Sequence, residues 1–66
     1  MKFELNGEPQ DAPAPLTVRA LLERLELRNR RVAVAINTRV IPRSRFDEAE
    51  VRDGDCVEVI QAVGGG

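Results

Sequence analysis

Sixty-six residues make one domain, near the lower limit for folding alone, and 42% hydrophobic with 32% charged content marks it as globular rather than disordered. A net charge of −1 leaves no electrostatic footprint for nucleic acid, and the apolar runs fall far short of the roughly 20 residues that span a bilayer. With one cysteine and no histidine, neither a zinc site nor a cysteine-ligated iron–sulfur cluster can be assembled in one chain. No metal site is therefore expected. No phosphate-cradling glycine motif and no signal-peptide pattern occurs, and the lone thiol fits a reducing compartment, so a cytoplasmic location is expected. An enzyme built from this inventory would have Asp, Glu, Lys, Arg, Ser and one thiol to work with. Chemistry is expected to come from partners.

Lys2-Phe3-Glu4-Leu5-Asn6 alternates polar and apolar residues, the period of a half-buried strand. Asn6-Gly7 then signals a tight hairpin, because a type I′ turn needs positive φ at both central residues. A second strand should return through Glu8 to about Ala12, with Pro9 tolerated only at an edge or bulge. Pro13 and Pro15 imply an irregular crossing. Thr17 reads as a helix N-cap, followed by Val18, Leu21, Leu22 and Leu25 on one apolar stripe. Leu16 and Leu21 hold the two places of a hydrophobic staple. The helix should run from Val18 to Leu25 or Leu27, too short to persist without a sheet beneath it.

Arg28-Asn29-Arg30-Arg31 is a basic turn, best read as a solvated helix end whose charge suits the dipole. Val32-Ala33-Val34-Ala35-Ile36-Asn37 is apolar almost throughout, which predicts a central strand covered on both faces or nearly so. Val32, Val34 and Ile36 should point one way, Ala33 and Ala35 the other. Asn37-Thr38-Arg39 turns the chain into a short strand, Val40-Ile41, blunted by Pro42. Ser44 to Glu48 allows one helical turn anchored by Phe46. Asp53-Gly54-Asp55 is a tight turn before a last strand, Cys56 to Val63. There Val57 and Val59 face one side, and Cys56, Glu58, Ile60 and Ala62 the other.

The order of elements predicts an α+β fold: a mixed sheet of four to five strands with one helix packed across one face. A hairpin, a crossing helix and a final strand set beside the first make the β-grasp (ubiquitin-like) arrangement by analogy. Residues 1–63 would form that domain and residues 64–66 a flexible glycine tail.

Gly64, Gly65 and Gly66 end the chain. Such a run is either a frayed end or a working group. Glycine lacks Cβ, so the tail can thread a narrow slot, and a carboxyl on a bare Cα is open to attack from either side. That carboxylate is ionised at neutral pH and a poor electrophile, so something else must activate it. Four residues from Ala62 to Gly66 reach roughly 14 Å when extended. Ile60 and Ala62, beside Ala33 and Ala35, would form a small apolar patch next to the tail, suited to docking a partner.

Ala33-Val34-Ala35-Ile36-Asn37, Val40-Ile41-Pro42-Arg43, Asp53-Gly54-Asp55 and a strand ending in Gly-Gly together resemble the ubiquitin-like sulfur carrier proteins of thiamin biosynthesis, the ThiS family. The resemblance covers the whole chain. It departs at a third glycine, Gly64, where a small residue is usual. The resemblance implies a protein co-substrate rather than an enzyme, with no bound cofactor. A ubiquitin-activating-like enzyme using ATP and Mg²⁺ would adenylate Gly66. Sulfur from a cysteine desulfurase or rhodanese-type donor would then displace AMP, leaving a thiocarboxylate for thiazole synthase.

Two other roles use the same Gly-Gly end: the small subunit of molybdopterin synthase, and a ubiquitin-like modifier joined to lysines. An interaction domain with an inert tail is a further alternative. Cys56 reads as a half-buried strand residue, because the carboxylates of Asp55 and Glu58 beside it disfavour a thiolate. Arg39 and Arg43 could steer an acidic partner surface or stand as solvated charges.

Overall fold

The structure, a computed structural model, describes residues 1–27 and 31–61. Its first element is a hairpin of β1 (Lys2–Leu5) and β2 (Glu8–Asp11), in register from Lys2 opposite Asp11 to Leu5 opposite Glu8. Asn6 and Gly7 form the connecting turn at φ 50° and 84°, the positive angles that a type I′ turn demands. β2 is an outer strand, so Pro9 removes no ladder bond within the sheet.

The proline stretch leads into a feature absent from the sequence expectation. β3 (Leu16–Thr17) pairs antiparallel with β6 (Glu50–Val51), making a two-stranded sheet at the foot of the helix. Helix α1 (Val18–Arg24) starts there, and the Thr17 hydroxyl accepts the Ala20 amide at 3.1 Å, satisfying one of the first-turn donors. Its end is explicit as well. The Glu26 amide donates to the Glu23 carbonyl at 3.0 Å and the Leu27 amide to the Leu22 carbonyl at 2.8 Å, the paired bonds of a Schellman motif. Glu26 therefore occupies the left-handed position, φ 60°, that glycine usually takes. The helix closes at Arg24, within the shorter of the two expected limits, and Arg28, Asn29 and Arg30 of the basic turn lie outside the described residues.

β4 (Val32–Ile36) and β5 (Arg39–Ile41) form a second hairpin across Asn37 and Thr38, both at positive φ. A 3₁₀ turn at Arg43–Arg45 follows, earlier than expected, with Phe46 buried directly behind it. β7 (Cys56–Gln61) then enters between the hairpins, and the sheet order is β2-β1-β7-β4-β5. Its pairing with β1 is parallel and that with β4 antiparallel, so the sheet is mixed.

One buried cluster joins the layers. Val18, Leu21 and Leu22 from α1 meet Phe3 and Leu5 from β1, Val34 from β4, and Val57 and Val59 from β7. Each such side chain contributes roughly 1.5–3 kcal/mol of burial, which is what holds a seven-residue helix in place. The expectation that β4 is covered on both faces is overturned. Val34 is fully buried, but Ala33 on the other side is exposed and Ala35 only half-buried. A single helix covers a single face. The other face of the sheet meets water.

Candidate functional site

The end of β7 is where backbone and surface features converge. Its alternation is as read from the sequence: Val57 and Val59 are buried, whereas Cys56, Glu58 and Ile60 are exposed. On the exposed face, Ala33 lies opposite Ile60, and Ala35 lies between Glu58 and Val40 in adjoining strands. Ile60 leaves 63% of its surface in water and Val40 74%, the two exposed large hydrophobic residues among those described. Together they bracket an apolar strip across β7, β4 and β5, with the carboxylate of Glu58 set into it.

Three residues of the expected patch, Ala33, Ala35 and Ile60, are thus brought together on one face. The fourth, Ala62, and the tail residues Gly64, Gly65 and Gly66 lie outside the described residues. Val40 belongs to the strip but was not foreseen. A three-residue strand has no period to reveal its orientation, and only the two positive-φ residues of the preceding turn decide it.

The two arginines part company. Arg43 joins Arg31 around a shallow depression whose floor is Val32, Ala33 and Ile60. Arg39 sits in register with Ile36, and lines a separate depression with Ile41, Glu50 and Asp55. Of Arg39 and Arg43, only Arg43 borders the apolar strip. Cys56, expected to be half-buried, is exposed because it lies on the face that the helix leaves open, and it pairs in register with Glu4, so acidic side chains neighbour it along and across the strands. Its amide is held by the Asn37 side chain at 2.9 Å, while Asn37 donates to Asp55 at 3.0 Å. These bonds fix the start of β7 in place.

The other end is fixed from β1. Asn6 donates its amide to the Val57 carbonyl at 2.9 Å. Its side chain reaches two residues further: Oδ1 accepts the Val59 amide at 2.9 Å, and Nδ2 donates to the Val59 carbonyl at 3.2 Å. Among the described residues no group of three or more His, Cys, Asp or Glu is placed to hold a metal ion, and no helix is long and apolar enough to cross a membrane.

A family model described as the ThiS family matches residues 3–66, nearly the whole chain and its glycine end. The chain belongs to the ThiS family. The sulfur carrier protein ThiS of Escherichia coli is 35% identical over 66 residues, which cover all of both chains. The crystal structure of a thiamine biosynthesis protein, ThiS, from Geobacter metallireducens superposes with a TM-score of 0.84 at 36% identity, again covering both chains fully. This ThiS-family chain therefore has the β-grasp fold expected of it, elaborated by the small β3–β6 sheet.

A thiazole synthase of Paramagnetospirillum magneticum is also similar, 41% identical over 66 residues. This ThiS-family chain spans only 20% of the length of that relative.

Proposed function

We propose that this member of the sulfur carrier family works through its terminal carboxylate and serves as a co-substrate rather than a catalyst. The carboxylate of Gly66 attacks the α-phosphorus of ATP on an activating enzyme, releasing pyrophosphate and forming an acyl adenylate. Mg²⁺ on that partner offsets the phosphate charge. The terminal sulfur of a persulfide, supplied by a cysteine desulfurase or rhodanese-type donor, displaces AMP. A thiol then cleaves the resulting acyl disulfide and leaves the thiocarboxylate. Thiazole synthase takes that sulfur and returns the carboxylate for another round.

The observation that carries the reading is the full-length similarity to a sulfur carrier protein, glycine end included. Similarity to a fifth of a thiazole synthase supports the identity of the sulfur acceptor. The surface supports it too. Ala33, Ala35, Val40 and Ile60 give an apolar docking strip beside the root of the tail, and Ala62 would extend it. Arg31 and Arg43 stand at its margin. ATP and reducing thiols place the cycle in the cytoplasm.

Intact mass spectrometry of the chain from its native host tests this reading. A species heavier by one oxygen-to-sulfur exchange, localised to Gly66, is expected. Isopeptide attachment to other proteins would identify a modifier instead, and an unaltered tail under every sulfur supply would overturn the carrier role. A chain lacking Gly66 should lose activation while retaining its fold.

A further inference from the structure

We infer that Asn6 is a positioning residue for the C-terminal tail, acting through Val59. The inference rests on the carrier reading above and adds a residue 53 positions earlier in the chain than the strand it controls.

β1 supports β7 for only two registered pairs, Glu4 with Cys56 and Leu5 with Val57, before the chain turns away at Asn6 and Gly7. The backbone groups of Val57 and Val59 point toward β1, because Val57 accepts from the Asn6 amide and Val59 bonds the Asn6 side chain. Without that side chain, both the donor and the acceptor of Val59 would lose their partners on this side. The side-chain carboxamide of Asn6 supplies both at once, where a continuing parallel strand would use backbone groups of two different residues. One residue thus holds β7 at two successive contact points, by its backbone at Val57 and by its side chain at Val59.

The position admits few alternatives. Its φ of 50° is strained for most L-residues but tolerated by asparagine, aspartate and glycine. Of these three, only asparagine carries a donor and an acceptor on one planar group. Aspartate would set a carboxylate oxygen against the Val59 carbonyl, and glycine would leave Val59 without either bond. Turn geometry and clamp chemistry select the same residue.

The consequence falls on the tail because Val59 lies two residues before Gln61, the last described residue of β7. For Ile60 and Gln61, the described residues beyond Val59, the registered partners are Ala33 and Val32 of β4, with none from β1. Gly66 is five residues past Gln61, at most about 17 Å of extended chain. A displaced root moves the point from which the tail starts, and activation requires the carboxylate within reacting distance of ATP. Misplacement by about 1 Å can cost about a hundredfold in rate.

The test compares full-length Asn6→Gly and Asn6→Asp with the wild-type chain. Asn6→Gly keeps the turn and removes the clamp, and Asn6→Asp keeps only the acceptor. Both should remain folded by dispersed amide spectra, with the Val59 amide exchanging about tenfold faster in Asn6→Gly and the Leu21 and Leu22 amides of α1 unchanged. With the cognate activating enzyme, kcat for pyrophosphate release should fall about tenfold at unaltered KM, because the docking strip is intact. Accelerated Val59 exchange with wild-type kcat would overturn the positioning role, as would unaltered Val59 exchange. A wild-type chain that is not adenylated at all would defeat the carrier reading, and with it the role of Asn6 in that reaction. Exchange at Val59 then still decides whether the clamp itself exists.

Discussion

Ala33 and Ile60 face each other across β4 and β7 on the side of the sheet that the helix leaves open, and Ile60 keeps 63% of its surface in water. A large apolar side chain in that setting adds little to folding. Ile60→Glu should change stability by no more than about 0.5 kcal/mol in urea titration. It should lower kcat/KM for adenylation at least tenfold, about the loss expected when a charge enters a desolvated interface centre. Val40→Glu should behave alike. Normal adenylation of both variants removes the strip from the account.

Cys56 shares that face but sits at the opposite end of β7, with Glu4 in register and Glu58 two residues along. Its exposure means that a serine there costs no core packing. Cys56→Ser should accept and deliver sulfur at the wild-type rate. Loss of thiocarboxylate formation in that variant would show that the side-chain thiol takes part in the transfer.

The buried cluster is small enough that one truncation is felt throughout. Leu22 lies in the core and also accepts the Leu27 amide at the helix end. Leu22→Ala should cost about 2–5 kcal/mol. A 66-residue domain has only about 3–10 kcal/mol of total stability, so this variant should be partly unfolded at 37 °C. A urea midpoint within error of wild type would mean that α1 is not held by this face.

Two positions carry left-handed backbone on residues ill suited to it: Glu26 at φ 60° after the helix, and the β-branched Thr38 at φ 70° in the β4–β5 turn. Glycine at either relieves the clash between Cβ and the following carbonyl, partly offset by its greater freedom when unfolded. Thr38→Gly should stabilise the domain by about 1 kcal/mol, raising Tm by about 4–8 °C. Glu26→Gly should do the same to a smaller extent. A lower Tm for Thr38→Gly would mean that the bond its hydroxyl donates to the Asn37 carbonyl outweighs the relief.

Thr17 is the counterpart at the helix start. Its hydroxyl caps the Ala20 amide, and the same residue pairs with Glu50 in the small sheet. Thr17→Ala should cost about 1 kcal/mol, and Thr17→Ser should recover most of it. Equal losses for both would point to the methyl group rather than the cap.

Long-period signals made most of this legible from residues alone. Val18, Leu21 and Leu22 announced α1, the alternation of Val57 and Val59 with Cys56, Glu58 and Ile60 announced both faces of β7, and Asn6-Gly7 announced the first hairpin. What escaped had too few residues to show a period. Leu16–Thr17 and Glu50–Val51 are two-residue strands that exist only because each finds the other across the fold. The β4 run looked buried on both sides because alanine is apolar, yet Ala33 is exposed. Composition reports what a residue tolerates, and only the layer count tells whether a second cover exists. The Asn6 clamp was hidden for a different reason. Its sequence position reads entirely as turn chemistry, and nothing local shows that a strand 53 residues later needs its amide.

Because β1 and β7 run side by side in one direction, Met1 and Gln61 sit at opposite poles of the sheet. Cys56, which pairs in register with Glu4, precedes Gln61 by five positions, or about 17 Å of strand rise. A fluorophore or surface tether at the amino end is therefore remote from Gln61, the last described residue of β7. Immobilised this way, the molecule would turn the Gln61 pole of the sheet outward, and if the carrier proposal holds, successive enzymes could be passed over one anchored sample to follow each handover in turn.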